Sequence, residues 1–272
     1  MPTVALAFAL AAAVFHALWN LALARAPDVE AATAVALLTA EIVFLPVAAV
    51  VCRADPAVWP WVVASGLFEL VYFALLATAY RRAPLSVVYP VARGGAPVVV
   101  LLVSVIALGQ ATSARQAAAV GLIVAGVVLV RGVGHPDRTG VAFGVAIACC
   151  IAGYTLIDKH GIEHAGPVTY LVLSMLVPTA VYAGAVAHVK GTRAIRAAVS
   201  PASVFAGIAT FVAYAFVLAA LERAPAASVA AVRETSVVIA SALAVVVLKE
   251  HVTRWRFLGA CVVVAGIALI SL

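Results

Sequence analysis

Long runs of Ala, Val, Leu and Ile, punctuated at short intervals by Pro, Gly, Arg and Lys, organise the whole chain. Ten such runs fall near 3–24, 31–52, 57–79, 84–107, 114–131, 140–157, 167–188, 200–221, 225–248 and 254–272. A helix needs about 20 largely apolar residues to cross roughly 30 Å of hydrocarbon. Each run therefore predicts one transmembrane helix, and the ten together predict an all-α membrane protein. The connectors are too short to hold a soluble catalytic or regulatory domain. The opening "MPTVALAFALAAAVFHALWN" has no basic residues ahead of its apolar run, and His16 and Asn20 interrupt it. It reads as the first span and not as a secretory signal.

Composition agrees. Of 272 residues, 66% are hydrophobic and 10% charged, against about 25% charged in a soluble domain. The formal charge of +6 is carried by basic residues standing singly or in small groups at span ends. That distribution belongs to loop topology and not to a nucleic-acid partner. Cys52, Cys149, Cys150 and Cys261 lie in or at the ends of apolar spans without CxxC spacing or clustered histidines. They predict neither a metal site nor a disulfide framework, and no cofactor is expected.

The chain also repeats itself. "RRAPLSVVYPVARGGAPVVV" at 81–100 aligns with "ERAPAASVAAVRETSVVIAS" at 222–241, with one residue of slip bringing Arg93 onto Arg233. "GLIVAGVVLV" at 121–130 is echoed by "CVVVAGIALI" at 261–270, and Trp19-Asn20 falls opposite Tyr154-Thr155. Residues 1–135 and 136–272 thus form two five-span units. An odd number of spans makes the second unit enter from the opposite side, so the ten helices are expected as two inverted five-helix repeats, an architecture of secondary transporters.

These features together, a RAP-like entry to the fourth helix of each half and an AG segment in each closing helix, resemble the EamA family of the drug/metabolite transporter (DMT) superfamily. The resemblance covers essentially the whole chain and implies a carrier with peripheral fifth helices. "FHALWN" at 15–20 further resembles a subset of such proteins associated with phosphonate use.

Charge inside the membrane is the candidate chemistry. Arg233 and Glu234 lie about 12 Å along the ninth span from Pro225, at 1.5 Å per residue. A charge at such depth costs about 2.5–3.5 kcal/mol on insertion scales and normally meets water or a partner. Adjacent residues of a regular helix point about 100° apart, so the two are expected to find partners on other helices. Glu41, Glu69, Arg93 and His16 are expected around the same chamber. Helical spacing puts His16, Trp19 and Asn20 on one face, Ser65, Glu69, Tyr72 and Phe73 on another, and Thr210 with Tyr214 on a third. Tyr89 and Tyr154 complete the expected pocket. In the fourth span, Pro90, Gly94, Gly95 and Pro97 surround Arg93, which predicts a hinge there. The ninth span has no Pro or Gly after Pro225 and is expected to be a rigid wall. Gly121, Gly126, Gly259 and Gly266 are expected to let helices five and ten approach closely.

The expected activity is alternating-access transport of a small polar metabolite, anionic or zwitterionic, across the plasma (cytoplasmic, cell inner) membrane. Arg93 and Arg233 would attract a carboxylate or phosphonate-like group. His16, Trp19, Asn20, Tyr72, Tyr89, Tyr154 and Tyr214 would shape the site. Glu41, Glu69 and Glu234 would carry a coupling proton or balance charge. The partners expected are a small-molecule substrate and the lipid bilayer, with a homodimer left open. The alternative is an intramembrane enzyme on a lipid-linked substrate, against which stand the absence of HExxH and GxSxG. Orientation is divided. Eleven Lys and Arg follow odd-numbered spans and four follow even ones, which puts both termini outside, whereas the family resemblance implies termini in the cytoplasm.

Overall fold

Each apolar run folds as a helix in the computed structural model, which describes residues 1–83, 85–131, 138–248 and 254–271. The first half contains α1 (Thr3–Ala24), α2 (Val29–Val50), α3 (Trp59–Arg82), α4 (Leu85–Ile106) and α5 (Ala114–Arg131). The second contains α6 (Arg138–Gly161), α7 (Pro167–Lys190), a short α8 (Thr192–Ala197), α9 (Pro201–Leu221), α10 (Ala226–Arg233), α11 (Ser236–Leu248) and α12 (Arg254–Ser271). Six helices, α1, α2, α3, α6, α7 and α9, are long and apolar enough to span a bilayer, and Val91–Ile106, Ala114–Leu129 and Phe257–Ile270 are shorter apolar stretches. The expected division at 135/136 lies outside the described residues.

Helix pairing follows a pseudo-two-fold axis. Exchanging the halves, first span for sixth and so on, turns the α1–α9 contact into α6–α3, α2–α9 into α7–α3, and α4–α6 into the ninth span against α1, and all of these contacts are present. The pairs α2–α7, α5–α12 and α4–α10 map onto themselves and are also present. With five spans per half, this axis lies in the plane of the membrane.

The interior is built from small side chains. Ala5, Ala9, Ala12, Ala13 and Ala17 of α1 are buried against α9, whose Ala206, Ala209, Ala213 and Ala220 are buried in turn. Larger apolar residues such as Ile42 (72% exposed) and Phe257 (65%) face outward. This inversion of the soluble pattern suits a lipid solvent, where close backbone approach drives helix association more than burial of large side chains does.

The α5–α12 pair shows how tight that approach is. A Cβ on Gly126 would stand 2.6 Å from Val263 Cγ2 and 2.7 Å from the Gly259 carbonyl, and one on Gly266 would stand 2.7 Å from Ile123 Cγ1. Gly121, expected to share this role, has nothing within 4 Å of its would-be Cβ. Gly126→Ala is therefore expected to destabilise the protein by about 1–3 kcal/mol through overpacking. Gly121→Ala should stay within about 0.5 kcal/mol of the parent. Thermal unfolding in lipid nanodiscs checks both.

The chain ends meet on one face, where the Met1 ammonium donates to the Ile270 carbonyl at 2.9 Å. On this terminal face an antiparallel bridge joins Ala54 to Ala165. It is flanked by the Asp55 amide on the His164 carbonyl (2.8 Å) and the Gly166 amide on the Arg53 carbonyl (2.9 Å). The opposite face has a looser link between the halves, Lys190 bridging Asp28 and Glu30 at 2.7 Å each. The Lys190 hydrogen bond, helped by the Ala31 amide, holds the Asp28 carboxyl below its ordinary range.

The expected hinge and wall are reversed. α4 runs unbroken from Leu85 to Ile106 through both prolines and both glycines, whereas the ninth span divides between α10 and α11. There the amides of Glu234, Thr235, Val237 and Val238 bond to the carbonyl three residues back instead of four. Such a tightened stretch in mid-helix is a common mark of a hinge. The break falls at the run Arg233-Glu234-Thr235-Ser236, all buried, where the Arg233 and Glu234 side chains meet across the turn.

Candidate substrate-binding cavity

Eight spans, all but the fifth and tenth, enclose a cavity of about 390 Å³ between the halves. Small residues clear the space: Ala12 on α1, Ala36 on α2, Ala92 on α4 and Ala213 on α9 all line it. Leu23, Ala24 and Val29 extend the lining to the connector between the first two spans, where Ala24 and Val29 are exposed. The cavity thus reaches the face opposite the chain termini.

One wall is cationic. Glu234, 1% exposed, places Oε1 at 3.3 Å from Arg93 Nη1 and 3.5 Å from Arg233 Nε. The two arginines that the repeat alignment superposes therefore share one carboxylate. The expectation that Arg233 and Glu234 would need separate partners is corrected: the tightened turn lets them pair with each other, with Arg93 of α4 as the second contact. Arg93 also meets His16 Nε2. Arg233, 4% exposed, lines the cavity with Nη2 buried and without a hydrogen-bond partner among the described residues. An unused guanidinium donor in a membrane interior is an invitation to an anion.

The facing wall is aromatic. Tyr72 of α3, Tyr154 of α6 and Tyr214 of α9 stack edge to face, with centroids 6.5 Å apart for Tyr72–Tyr154 and 6.0 Å for Tyr154–Tyr214. His16 and Trp19 form a similar pair at 4.9 Å. Asn20 lines the cavity while its amide donates to the His16 carbonyl at 2.7 Å. Glu69 also lines it, with no ion pair or hydrogen bond among the described residues. Two acids stand elsewhere: Glu234 lies behind the arginines, and Glu41 does not line the cavity at all, because its azimuth on α2 faces the packed neighbours of that helix. The Tyr89 side chain lies outside the described residues.

The closed end depends on a residue that the sequence reading passed over. Asp158, 1% exposed on α6, accepts hydrogen bonds at Oδ1 from Ser65 (2.6 Å) and Tyr170 (2.8 Å), and at Oδ2 from Tyr214. Four helices, α3, α6, α7 and α9, are tied at one carboxylate. Next to it Lys159 donates to the Leu221 and Ala224 carbonyls, fastening the end of α9 to α6. Asp158 stands four residues after Tyr154, on the same helix face. Extending the sixth span by one turn would have brought it to notice. At the other end of the cavity Leu23, Ala36 and Ala206 pack together.

Among solved structures, one described as "Crystal structure of protein" is similar at 18% identity with a TM-score of 0.80, covering 100% of this chain and 98% of that one. At that identity the likeness concerns the fold alone. No curated protein matches the chain. The description of the EamA-like transporter family matches residues 3–132 and again 138–272. The protein accordingly belongs to the EamA-like transporter family and carries one family unit in each half of a multi-pass membrane chain.

Proposed function

We propose that the protein is a secondary transporter that moves a small anionic or zwitterionic metabolite across the cytoplasmic membrane by alternating access. The observation that carries this reading is Arg233, whose guanidinium has an unpaired nitrogen, in the wall of a cavity made by eight spans and reaching one face. An anionic group would sit on Arg233, with Arg93 adding its field. The tyrosines would cover the apolar part of the molecule, and Glu69 is available to an ammonium group where the substrate has one. Glu234 balances the charge of the two arginines.

The conformation described is open away from the termini. To open toward them, the carrier would release the hydroxyls from Asp158 and part the Ala54–Ala165 bridge. Closing the other end would extend the apolar cluster of Leu23, Ala36 and Ala206 across the cavity mouth. The sequence has no GxxxxGK[ST] nucleotide loop, which leaves an ion gradient or the substrate's own gradient as the driving force. The lipid-enzyme reading is less well supported. Glu234 is held by two arginines and Asp158 by three hydroxyls, so neither is free for general acid-base work.

Proteoliposome counterflow with a panel of carboxylates, phosphonates and amino acids tests the reading. Saturable exchange of at least one class is expected, and Glu69→Gln should selectively lower exchange of members bearing an ammonium group. No saturable exchange with any class would overturn it.

A further inference from the structure

Glu41 has no hydrogen bond or ion pair among the described residues and, unlike Glu69, does not line the cavity. It is 6% exposed, and both carboxyl oxygens are buried without a hydrogen-bond partner among the described residues. Thr179 on α7 faces it closely enough for a side-chain interaction, although the two make no well-formed hydrogen bond and the Thr179 hydroxyl is likewise buried. Each is the thirteenth residue of its helix, counted from Val29 and from Pro167. Since α2 and α7 pack across the pseudo-two-fold axis, the two side chains stand at matching levels of the two halves. Leu37 and Met175, one helical turn before each, line the substrate cavity. The pair therefore lies just behind the cavity wall, on the seam along which the halves must move.

The surroundings limit what this place can hold. Arg93 and Arg233 are occupied by Glu234, and Lys190 is bound to Asp28 and Glu30 at the protein's face. Tyr182, one turn beyond Thr179, directs its hydroxyl to the Glu30 carbonyl at 3.5 Å. Among the described residues no charged side chain faces Glu41 from α1, α7, α8 or α9. A bare carboxylate in such a site is strongly disfavoured. A metal ion would want about six oxygen ligands, while these side chains offer the two carboxyl oxygens of Glu41 and the hydroxyl of Thr179. The ligand that matches is the smallest cation.

We propose that Glu41 and Thr179 form a proton-binding site on the α2–α7 seam, separate from the substrate cavity. With the proton bound, the neutral carboxyl tolerates the dry contact between the halves. Releasing the proton to water leaves a carboxylate that requires hydration, and so favours parting of α2 from α7. Proton exchange and movement of the halves are linked in this way, a deepening that rests on the transporter reading.

The test is infrared spectroscopy of the full-length protein in nanodiscs at neutral pH, with Glu69→Gln as background to remove the other uncommitted acid. The carbonyl band of a protonated carboxyl group is expected, lost on adding Glu41→Gln and displaced on adding Thr179→Val. A band unchanged by Glu41→Gln overturns the proposal. If Glu41→Gln does not fold, Thr179→Val decides, since a band it leaves in place overturns the proposal equally. Inactivity toward every substrate would defeat the transport reading and leave these spectra as they are, so the two ideas fail separately.

Discussion

Asp158→Ala is expected to lower the stability of the folded protein by roughly 2–4 kcal/mol, the largest effect of any single change at the closed end of the cavity. The substitution leaves Ser65 and Tyr214 without their acceptor and Tyr170 with only the Trp61 carbonyl at 3.3 Å. A buried hydroxyl without a partner costs about 1–3 kcal/mol, while hydrogen bonds between membrane helices average nearer 0.6 kcal/mol when both sides can find alternatives. Three hydroxyls losing one shared acceptor fall between these limits. Asp158→Asn should recover part of the loss, because its amide oxygen can still accept two of the three. Thermal unfolding in nanodiscs measures the difference, and an Asp158→Ala midpoint equal to the parent's would show that the four-helix tie is not made. A second readout follows from position. Loosening the knot should increase alkylation by a membrane-impermeant maleimide of a cysteine placed at Ala224, buried at 4% exposure beside Lys159.

Arg233→Ala is expected to lower affinity for the transported anion by about 10- to 150-fold, corresponding to the 1.5–3 kcal/mol of a hydrogen bond to a charged group. Arg233 and Arg93 differ in what they already do. Arg93 is engaged by His16 and Glu234, so its removal should cost stability as well as binding. Arg233 shares Glu234 but also has the unused Nη2 donor, so its removal should cost some stability and act more strongly on substrate. Arg233→Lys keeps the charge but loses the planar fork and should recover only part of the affinity. Counterflow with the best anion of the panel provides the measurement, and equal half-saturation in the parent and Arg233→Ala would remove this residue from recognition.

The helix boundaries were legible because the signal that sets them is coarse. A bilayer demands a long apolar run, and nearly every run stopped within a few residues of the observed helix. The repeat was legible for a similar reason, since Arg93 and Arg233 mark equivalent depths that no lipid-facing position would occupy. What escaped notice depended on geometry finer than depth. Asp158 escapes notice because the sixth span reads as ending at residue 157, whereas α6 continues to Gly161, so a membrane carboxylate passes for part of a connector. The break in the ninth span carries no Pro or Gly, the usual causes of a kink; it falls where polar side chains crowd one turn. Glu41 was placed in the chamber on depth alone, yet depth says nothing of azimuth, and a rotation about α2 separates a cavity acid from a buried one.

The Met1 contact with Ile270 bears on how the gene could be rearranged. Because Met1 and Ile270 touch, a few linking residues could join the first span to the tenth, and a new opening between α5 and α6 would yield a circular permutant in which the second unit is synthesised first. The finished bundle would keep every helix pairing. Its new ends, however, would emerge beside the Lys190 bridge, so the leading segment would have to be threaded through the bilayer in the reverse sense.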